Sequence, residues 1–313
     1  MNRYKFSICI PTWNRAEFLD QTLNNISTQI EGRKEFQLVI SDNNSTDGTY
    51  GIVSKYCSKL NIKYLKLDHN IGGSKNINQV VSCADGRYCI FLGDDDVFRD
   101  GWLTTLISLV DKYNPDVMVS DRIVCDIDLN PQFIERCGPL VSLPTIFNCS
   151  EEGVLLNYLN QTTSTSGFGF FSNLIVKKSL WDNAINSNYP SNHPFPHMIK
   201  IMDILYNIGG MLLRVPLATV YARSGNQRLS EYTSNIESSE FEQLLSVHFE
   251  GFLSAAKFIF PNSIELKSAL LNPITRIFDE NYKINFLKVA ENLDMLPRAE
   301  NFIYQLEINS CTK

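Results

Sequence analysis

The sequence predicts an α/β fold with a mainly parallel sheet, followed by a helical C-terminal region. Three observations predict it. Over the first 92 residues, short apolar runs alternate four times with stretches of helical spacing. Each run ends in a short polar loop, and right-handed crossovers line such loops along one edge of a parallel sheet. From about Ile236 onward, apolar residues recur with helical spacing instead.

The elements follow in order. Phe6–Ile10 reads as the first strand, stopped by Pro11-Thr12-Trp13-Asn14-Arg15, and Ala16 to about Thr28 as a helix. Phe36–Ile40 is the second strand and ends in Ser41-Asp42-Asn43-Asn44-Ser45-Thr46-Asp47-Gly48, with a helix from about Thr49 to Leu60. Ile62–Leu67 is the third strand, then come Asp68-His69-Asn70-Ile71-Gly72-Gly73 and a helix over Lys75–Cys83. Tyr88–Leu92 is the fourth strand; Gly93 and three consecutive carboxylates, Asp94-Asp95-Asp96, close it. Farther on, Pro196 fits the first turn of an apolar helix that runs through Leu205 toward Gly209-Gly210. Met211–Val215 and Leu217–Tyr221 are two strand-like runs. Helical patterns then cover about Phe241–Leu253, Ser263–Phe278, Asn285–Asn292 and Arg298–Ile308, punctuated by Pro261, Pro273 and Pro297.

Composition narrows the function classes. The chain has 313 residues, 44% of them hydrophobic and 20% charged, which is ordinary globular chemistry. A net charge of −6 argues against a dedicated nucleic-acid binder. No apolar run has the length of a membrane-spanning helix, and the N-terminus lacks the apolar stretch of a signal peptide. Eight cysteines form no Cys-x-x-Cys pair, and Cys9 and Cys89 lie inside strand patterns, as reduced core residues of a cytoplasmic protein do.

Three adjacent acids cannot be buried unpaired. At the C-terminal end of a sheet strand, where ligands gather, Asp94–Asp96 read as a site for Mn²⁺ or Mg²⁺, or else as a solvated acidic turn. Asp42 stands at a strand end beside two Asn residues, placed to accept hydrogen bonds from a ribose or a base. Capping accounts for Thr46, Asp47 and Ser74 without chemistry; turn dihedrals account for Gly72 and Gly73. A Gly-x-Gly-x-x-Gly pattern and a Gly-Lys-Ser/Thr loop are both missing, which argues against dinucleotide and P-loop ATP chemistry. Parallel topology makes the loops at Asn14, Asp42 and Asp94–Asp96 converge. His197 falls in the first turn of its helix, facing the loop edge, as a base, a metal ligand, an acceptor contact or a satisfied structural His. His193 and His197 have the spacing of a helical zinc pair, but Pro194 and Pro196 keep them off one regular helix. The loop Tyr221–Arg228 is polar and doubly basic, so Arg223 or Arg228 either closes over a pyrophosphate or stays solvated.

Four segments together carry a resemblance. Ile8-Cys9-Ile10-Pro11-Thr12-Trp13-Asn14-Arg15, Ser41 to Thr49, Asn70-Ile71-Gly72 and Gly93-Asp94-Asp95-Asp96 resemble the successive signatures of family 2 glycosyltransferases with the GT-A fold. The resemblance covers about residues 4–125. It implies that Pro11, Thr12, Asn14 and Arg15 line a nucleotide pocket, that Asp42 with Asn43 binds base or ribose, and that Lys75 lies near the pyrophosphate. It makes Asp94 through Asp96 the DXD-type motif, Asp94 toward the ribose and Asp96 on the metal with help from Asp94 or Asp95. Ser120-Asp121-Arg122, Phe171 to Asp182, Tyr189-Pro190, Pro196-His197 and Pro216-Leu217 are similar to segments of bacterial abequosyltransferases. Those enzymes add a 3,6-dideoxyhexose from a CDP-sugar to the mannose of a lipid-linked O-antigen repeat. On this resemblance the candidate catalytic residues are His197, Arg223, Asp121 and Arg122.

The chain then divides into a nucleotide-sugar-binding half over residues 1–125 and an acceptor-binding half over 126–235, as the resemblance implies, and a C-terminal helical subdomain over 236–313, as the change of periodicity after Ile236 implies. The resemblance implies a CDP-sugar donor, a lipid-linked oligosaccharide acceptor and Mn²⁺ or Mg²⁺. Charge and cysteine usage add no nucleic acid and a cytoplasmic location, and the aromatic stripes after Ile236 read as core or else as a peripheral contact at the inner face of the membrane or with a second subunit. Retention of the α configuration follows from the abequosyl likeness. The acidic motif that supplies the base in many inverting members is missing after residue 180, where the chain reads Ser191-Asn192-His193-Pro194-Phe195-Pro196-His197. The alternatives are an inverting family 2 enzyme using a UDP- or dTDP-sugar and, from other classes, a nucleotidyltransferase or a noncatalytic carbohydrate-binding protein.

Overall fold

The computed structural model describes residues 3–184, 193–223, 238–278 and 280–310. The first half alternates as its apolar periodicity dictates: β1 (Tyr4–Thr12), α1 (Ala16–Ile30), β2 (Phe36–Asp42), α2 (Thr49–Tyr56), β3 (Ile62–Lys66), α3 (Gly73–Ser82) and β4 (Gly86–Phe91). Then come β5 (Val97–Phe98), α4 (Trp102–Tyr113), β6 (Val117–Cys125), β7 (Pro131–Glu135), β8 (Thr145–Asn148), α5 (Val154–Gln161), α6 (Ser166–Gly169), β9 (Leu174–Lys177), α7 (Lys178–Asn183), α8 (Pro196–Tyr206) and β10 (Met211–Arg223). The C-terminal helices are α9 (Ser238–Gln243), a π-helical stretch Leu244–Glu250, α10 (Gly251–Ile259), α11 (Ile264–Thr275), α12 (Glu280–Asn292) and α13 (Leu296–Ser310).

The strands form one sheet in the order β3-β2-β1-β4-β9-β6-β10-β5, with β7 beside β6 and β8 beside β10. The pairings set β1, β2, β3, β4, β6 and β10 in one direction and β5, β7, β8 and β9 against them, so the sheet is mostly parallel. Strands buried on both faces need continuous apolar sequence, and β2 is buried at every position.

Two prolines behave differently from expectation. Pro11 does not end β1 at Ile10. It lies past Cys9, the last β1 residue paired with β4, so its missing N–H removes no ladder bond on that side. Pro216 does not divide β10 into two strands. The register shifts between Val215 and Ala218, and the strand continues through that irregularity.

Helices cover both faces of the sheet. Leu19, Leu23 and Ile26 of α1, Val53 of α2 and Trp102, Leu103 and Leu106 of α4 pack on one face with Ile8, Leu38 and Ile90. On the other, Val80 and Val81 of α3, Met198 and Met202 of α8 and the C-terminal helices share one core with Cys9, Val39 and Phe91. The aromatic residues after Ile236 therefore extend the core of the sheet: Phe249 is fully buried, with ring centroids 4.9, 5.6 and 5.3 Å from Phe278, Phe286 and Phe302. The seven cysteines among the described residues are free thiols, and burial pushes that of Cys137 up to about 12.

A cavity of about 890 Å³ lined by Arg3, Lys5, Lys34, Arg87 and Lys177 lies at the N-terminal ends of β1 and β4. That is the opposite edge from Asp94–Asp96.

Because Phe249 sits at the centre of the aromatic cluster, Phe249→Ala should destabilise the fold by about 3–5 kcal/mol, transfer and cavity terms together. Urea unfolding checks this; a loss below about 1 kcal/mol would mean that the cluster collapses around the gap.

Candidate active site

The sheet order reverses beside β1, since β2 and β3 lie on one side of it and β4 on the other. A crevice forms at such a switch point, outside the carboxyl ends of the strands. Here the end of β1 meets the loop after β4. The Thr12 hydroxyl donates to Asp94 Oδ2 at 2.7 Å, and Arg15 pairs with Asp95 and lies 3.6 Å from Asp94 Oδ1. Arg15 stays half-exposed.

The loops after β1 and β2 are stitched together as well. Asn14 adopts a left-handed backbone (φ 52°); its N–H donates to Ser45 Oγ at 2.9 Å, and its side-chain oxygen accepts the Thr46 N–H at 2.8 Å. Asp47 accepts the Thr49 N–H at the start of α2 and the Ala16 N–H at the start of α1, so the cap serves two helices. Asp42 is buried: one carboxylate oxygen accepts the Ser45 N–H at 2.7 Å and the other accepts the Tyr64 hydroxyl. Its visible work is therefore to shape this turn. Asn43 reaches over to the next loop, donating to Asn70 Oδ1 and accepting the Ile71 N–H, both at 2.8 Å. Gly72 follows with φ 86°, a conformation that only glycine adopts freely. Pro11 is half-buried, and Lys75 is exposed in the first turn of α3.

Asp94 and Asp96 are buried, which excludes the solvated-turn reading for both. Burial pushes the Asp94 carboxyl up to about 6 and the Asp96 carboxyl up to about 7, and the charge of Asp95 acts in the same direction. Hydrogen bonds pull back: Thr12 on Asp94, and on Asp96 the Ser172 hydroxyl and the Arg223 backbone N–H, the latter 3.1 Å from Oδ1. Arg122 is near enough for its charge to favour the ionised Asp96. From α1 the Thr22 hydroxyl lies within hydrogen-bond reach of two backbone carbonyls, 3.0 Å from that of Asp94 and 2.9 Å from that of Asp96.

A cation beside a buried carboxylate favours its ionised form and so opposes the effect of burial, and oxygen donors suit Mn²⁺ and Mg²⁺. Among the described residues, no three Asp, Glu, His or Cys side chains gather around one point. Each acid instead turns to its own partner: Asp94 to Thr12, Asp95 to Arg15, Asp96 to Ser172. The donor set fits an ion held by Asp96 and completed by waters and substrate oxygens, as hard cations are often held. Asp94, the other expected ligand, is held by Thr12 at the neighbouring position of the same loop.

The remaining candidates take other places. Arg223, at the end of β10, spends its guanidinium on the Asp95 and Ile127 carbonyls and on Gln21, with its centre 5.0 Å over the Phe18 ring. Arg228 lies outside the described residues. Arg122 pairs with Glu135 at 2.6–2.7 Å and stacks 4.0 Å over Phe170. Asp121 is buried against Arg214, itself fully buried, and accepts the Cys137 N–H at 2.8 Å. Such a pair is structural, because removing either charge strands the other in the core.

His197 does not face the loop edge. It is 3% exposed, and its ring lies 5.5 Å from Phe171 and 6.2 Å from Phe195. Pro196 does start the helix, but the ring packs against the Gly169–Phe171 segment. His197 Nε2 donates to the Gly169 carbonyl at 3.0 Å; a carbonyl only accepts, which assigns the proton to Nε2 and leaves Nδ1 bare and buried. Burial pushes its pKa down to about 4, so the ring is neutral. His193 lies outside the helix and accepts the Phe195 N–H on Nδ1 at 3.1 Å.

Thr22, Tyr64, Ser172 and Glu135 were invisible as site residues in the sequence. Ser172 lies 76 positions from Asp96, and no local pattern connects them.

The family model for glycosyl transferase family 2 matches residues 7–174. Abequosyltransferase RfbV of Salmonella typhimurium is 30% identical over 280 residues, spanning 86% of this chain and 80% of that protein. The poly(ribitol-phosphate) beta-N-acetylglucosaminyltransferase TarS of Staphylococcus aureus is 34% identical over 116 residues, 37% of this chain and 20% of that protein. The solved structure of S. aureus TarS 1-349 superposes with a TM-score of 0.63 at 21% identity, covering 98% of this chain and 89% of the other. It has also been solved in complex with UDP-GlcNAc, with a TM-score of 0.62, 18% identity and the same coverage. Mannosyltransferase PcManGT from Pyrobaculum calidifontis, in complex with GDP-Man and Mn²⁺, has a TM-score of 0.55 at 12% identity, over 98% of this chain and 87% of the other. At these identities the solved structures establish a shared fold.

His197 yields a pH prediction. Unfolded, it titrates near 6.5; folded, near 4. Between those values the unfolded chain binds a proton that the folded chain does not, so stability falls as pH falls through that window. Between pH 7 and 4.5 this contribution should shrink by about 2–3 kcal/mol. His197→Gln, whose amide can still donate to Gly169, should lack that slope. Urea unfolding of both proteins across the range measures it; parallel stability curves would exclude a depressed His197.

Proposed function

The chain belongs to glycosyl transferase family 2, and we propose that it moves abequose or another 3,6-dideoxyhexose from a CDP-sugar onto a mannose-containing, lipid-linked O-antigen acceptor. Family membership makes it a glycosyltransferase and sets aside the nucleotidyltransferase and the noncatalytic binder. The observation that carries the narrower reading is the extent of the match to the Salmonella abequosyltransferase. At 280 residues it runs well beyond residue 174, where the family model stops, into the half that would meet the acceptor.

The nucleotide diphosphate of the donor lies at the switch point. Thr12 and Thr22 hold the acidic loop rigid beneath it, and the half-exposed Arg15 offers a cation to the phosphates. Asp42 and Asn43 keep the neighbouring loops in the shape that receives the nucleoside. Asp96 is the protein ligand for Mn²⁺ or Mg²⁺. That ion, when bound, supplies positive charge against the charge growing on the leaving diphosphate.

Transfer proceeds with retention. His197, neutral and walled off by Phe171, does not serve as the base. The bond from the anomeric carbon to the diphosphate breaks, the acceptor oxygen bonds to that carbon, and the acceptor's proton passes to the departing phosphate oxygen. No described helix is long and apolar enough to cross a membrane. A lipid-linked acceptor then calls for a peripheral position at the inner face of the cytoplasmic membrane.

A second reading, inversion with a UDP-sugar, is favoured by the TarS fold, whose enzyme is named for a beta linkage and was solved with UDP-GlcNAc. Proton NMR of the product made from a CDP-α-sugar separates the two: an α-linked product supports retention, and a β-linked one overturns it. Asp96→Asn should reduce transfer by at least about a thousandfold, on the scale of removing a group central to transition-state charge stabilisation, while the melting temperature holds. Near-normal turnover of this variant at limiting Mn²⁺ would refute Asp96 as the ligand.

A further inference from the structure

Gly169 to Asn173 form a strap that joins α6 to β9 and touches the acidic loop through Ser172. Every residue of it is pinned. The Gly169 carbonyl accepts His197 Nε2–H, and the Phe170 ring lies under Arg122. Phe171 stacks on Phe91 of β4, with centroids 4.8 Å apart and planes 7° apart. Asn173 donates its amide to the Ser120 and Ser166 carbonyls, both at 3.1 Å, and its own carbonyl accepts the Ser120 N–H. The pins deliver Ser172 to one place. Its hydroxyl accepts the Gly93 N–H at 2.8 Å and donates to Asp96 Oδ2.

We propose that this strap sets the orientation of Asp96, with Ser172 as the positioning residue, so that the carboxylate is aimed before any cation arrives. A hydroxyl has one proton and two lone pairs. Here the proton goes to Asp96 and a lone pair takes Gly93, so Ser172 ties the first residue of the turn to its last acid. The Arg223 N–H holds the other carboxylate oxygen from the opposite side. The space leaves no slack: a Cβ on Gly93 would stand 3.0 Å from Asp96 Oδ2, 3.1 Å from Asp95 Oδ1 and 3.4 Å from Ser172 Oγ. A carboxylate ordered in advance loses less freedom on binding an ion, and groups behind a metal ligand typically contribute about 10–100-fold in affinity or activity. This inference rests on the reading of Asp96 as the cation ligand.

The test measures Mn²⁺ binding in the presence of CDP by the EPR signal of free Mn²⁺, on the full chain, for wild type, Ser172→Ala, Ser172→Thr and Asp96→Asn. Ser172→Ala should weaken Mn²⁺ binding about 10–100-fold and lower kcat/KM by a similar factor at limiting Mn²⁺, with kcat recovering at saturating Mn²⁺. Ser172→Thr, which keeps the hydroxyl, should restore most of the loss. If Ser172→Ala binds Mn²⁺ like wild type while Asp96→Asn does not, the strap's role is overturned and Asp96 stands as the ligand. If Asp96→Asn also binds like wild type, the cation reading itself fails and takes the inference with it. Should Ser172→Ala fail to fold, Ser172→Thr against Ser172→Cys decides: binding in the order Ser, Thr, then Cys supports the strap, and equal binding overturns it.

Discussion

Two carboxyl groups buried side by side at the end of β4 are the constraint on which this structure depends. Water would solvate Asp94 and Asp96 well, and the core does not. Their desolvation is offset by donors that no single segment supplies: Thr12 from β1, Ser172 from the strap before β9 and the Arg223 N–H from the end of β10. Thr22 of α1 adds a clasp on the backbone of the same loop. Four regions, from Thr12 to Arg223, therefore have to be folded before the acidic loop is tolerable.

The sheet makes that convergence automatic. With β1, β4, β6 and β10 all running one way, their C-terminal ends share an edge, and the reversal of strand order beside β1 opens the crevice there. The basic residues Arg3, Lys34 and Arg87 collect at the other edge. The C-terminal helices pack against the strap. A Cβ on Gly169 would come within 2.8 Å of the Phe252 ring of α10, and Phe252 also packs edge-on against Phe195. The strap is thus clamped between β4 and the helical layer, and residues far from the crevice hold Ser172 in place.

The same logic reassigns two of the expected catalytic residues. His197 and Asp121 sit in segments that resemble those of abequosyltransferases, yet the fold turns both inward: His197 to the Gly169 carbonyl and Asp121 to Arg214. Each is a polar group with a buried partner, and loss of either would be felt first in stability. Arg223 keeps its place at the site but through its backbone, since its guanidinium is taken up by carbonyls and Gln21.

The alternation of the first four strands with three helices and the helical character of the C-terminal region were legible in the sequence alone. Apolar periodicity, turn residues and runs of like charge are local properties, readable within a dozen residues. The meeting of the loops at Asn14, Asp42 and Asp94 was also legible, because parallel topology follows from alternation. Only the tertiary structure decided which face each polar side chain would take. Pro11 and Pro216 read as strand ends, and their lost N–H groups proved harmless because of where the neighbouring strands stop or shift register. His197 read as a rim residue because the sequence cannot reveal that a strap 28 positions upstream folds over it. Ser172, Thr22 and Arg214 find their partners 72 to 93 positions away along the chain, and hydrogen bonds of that span depend on packing that no local pattern encodes.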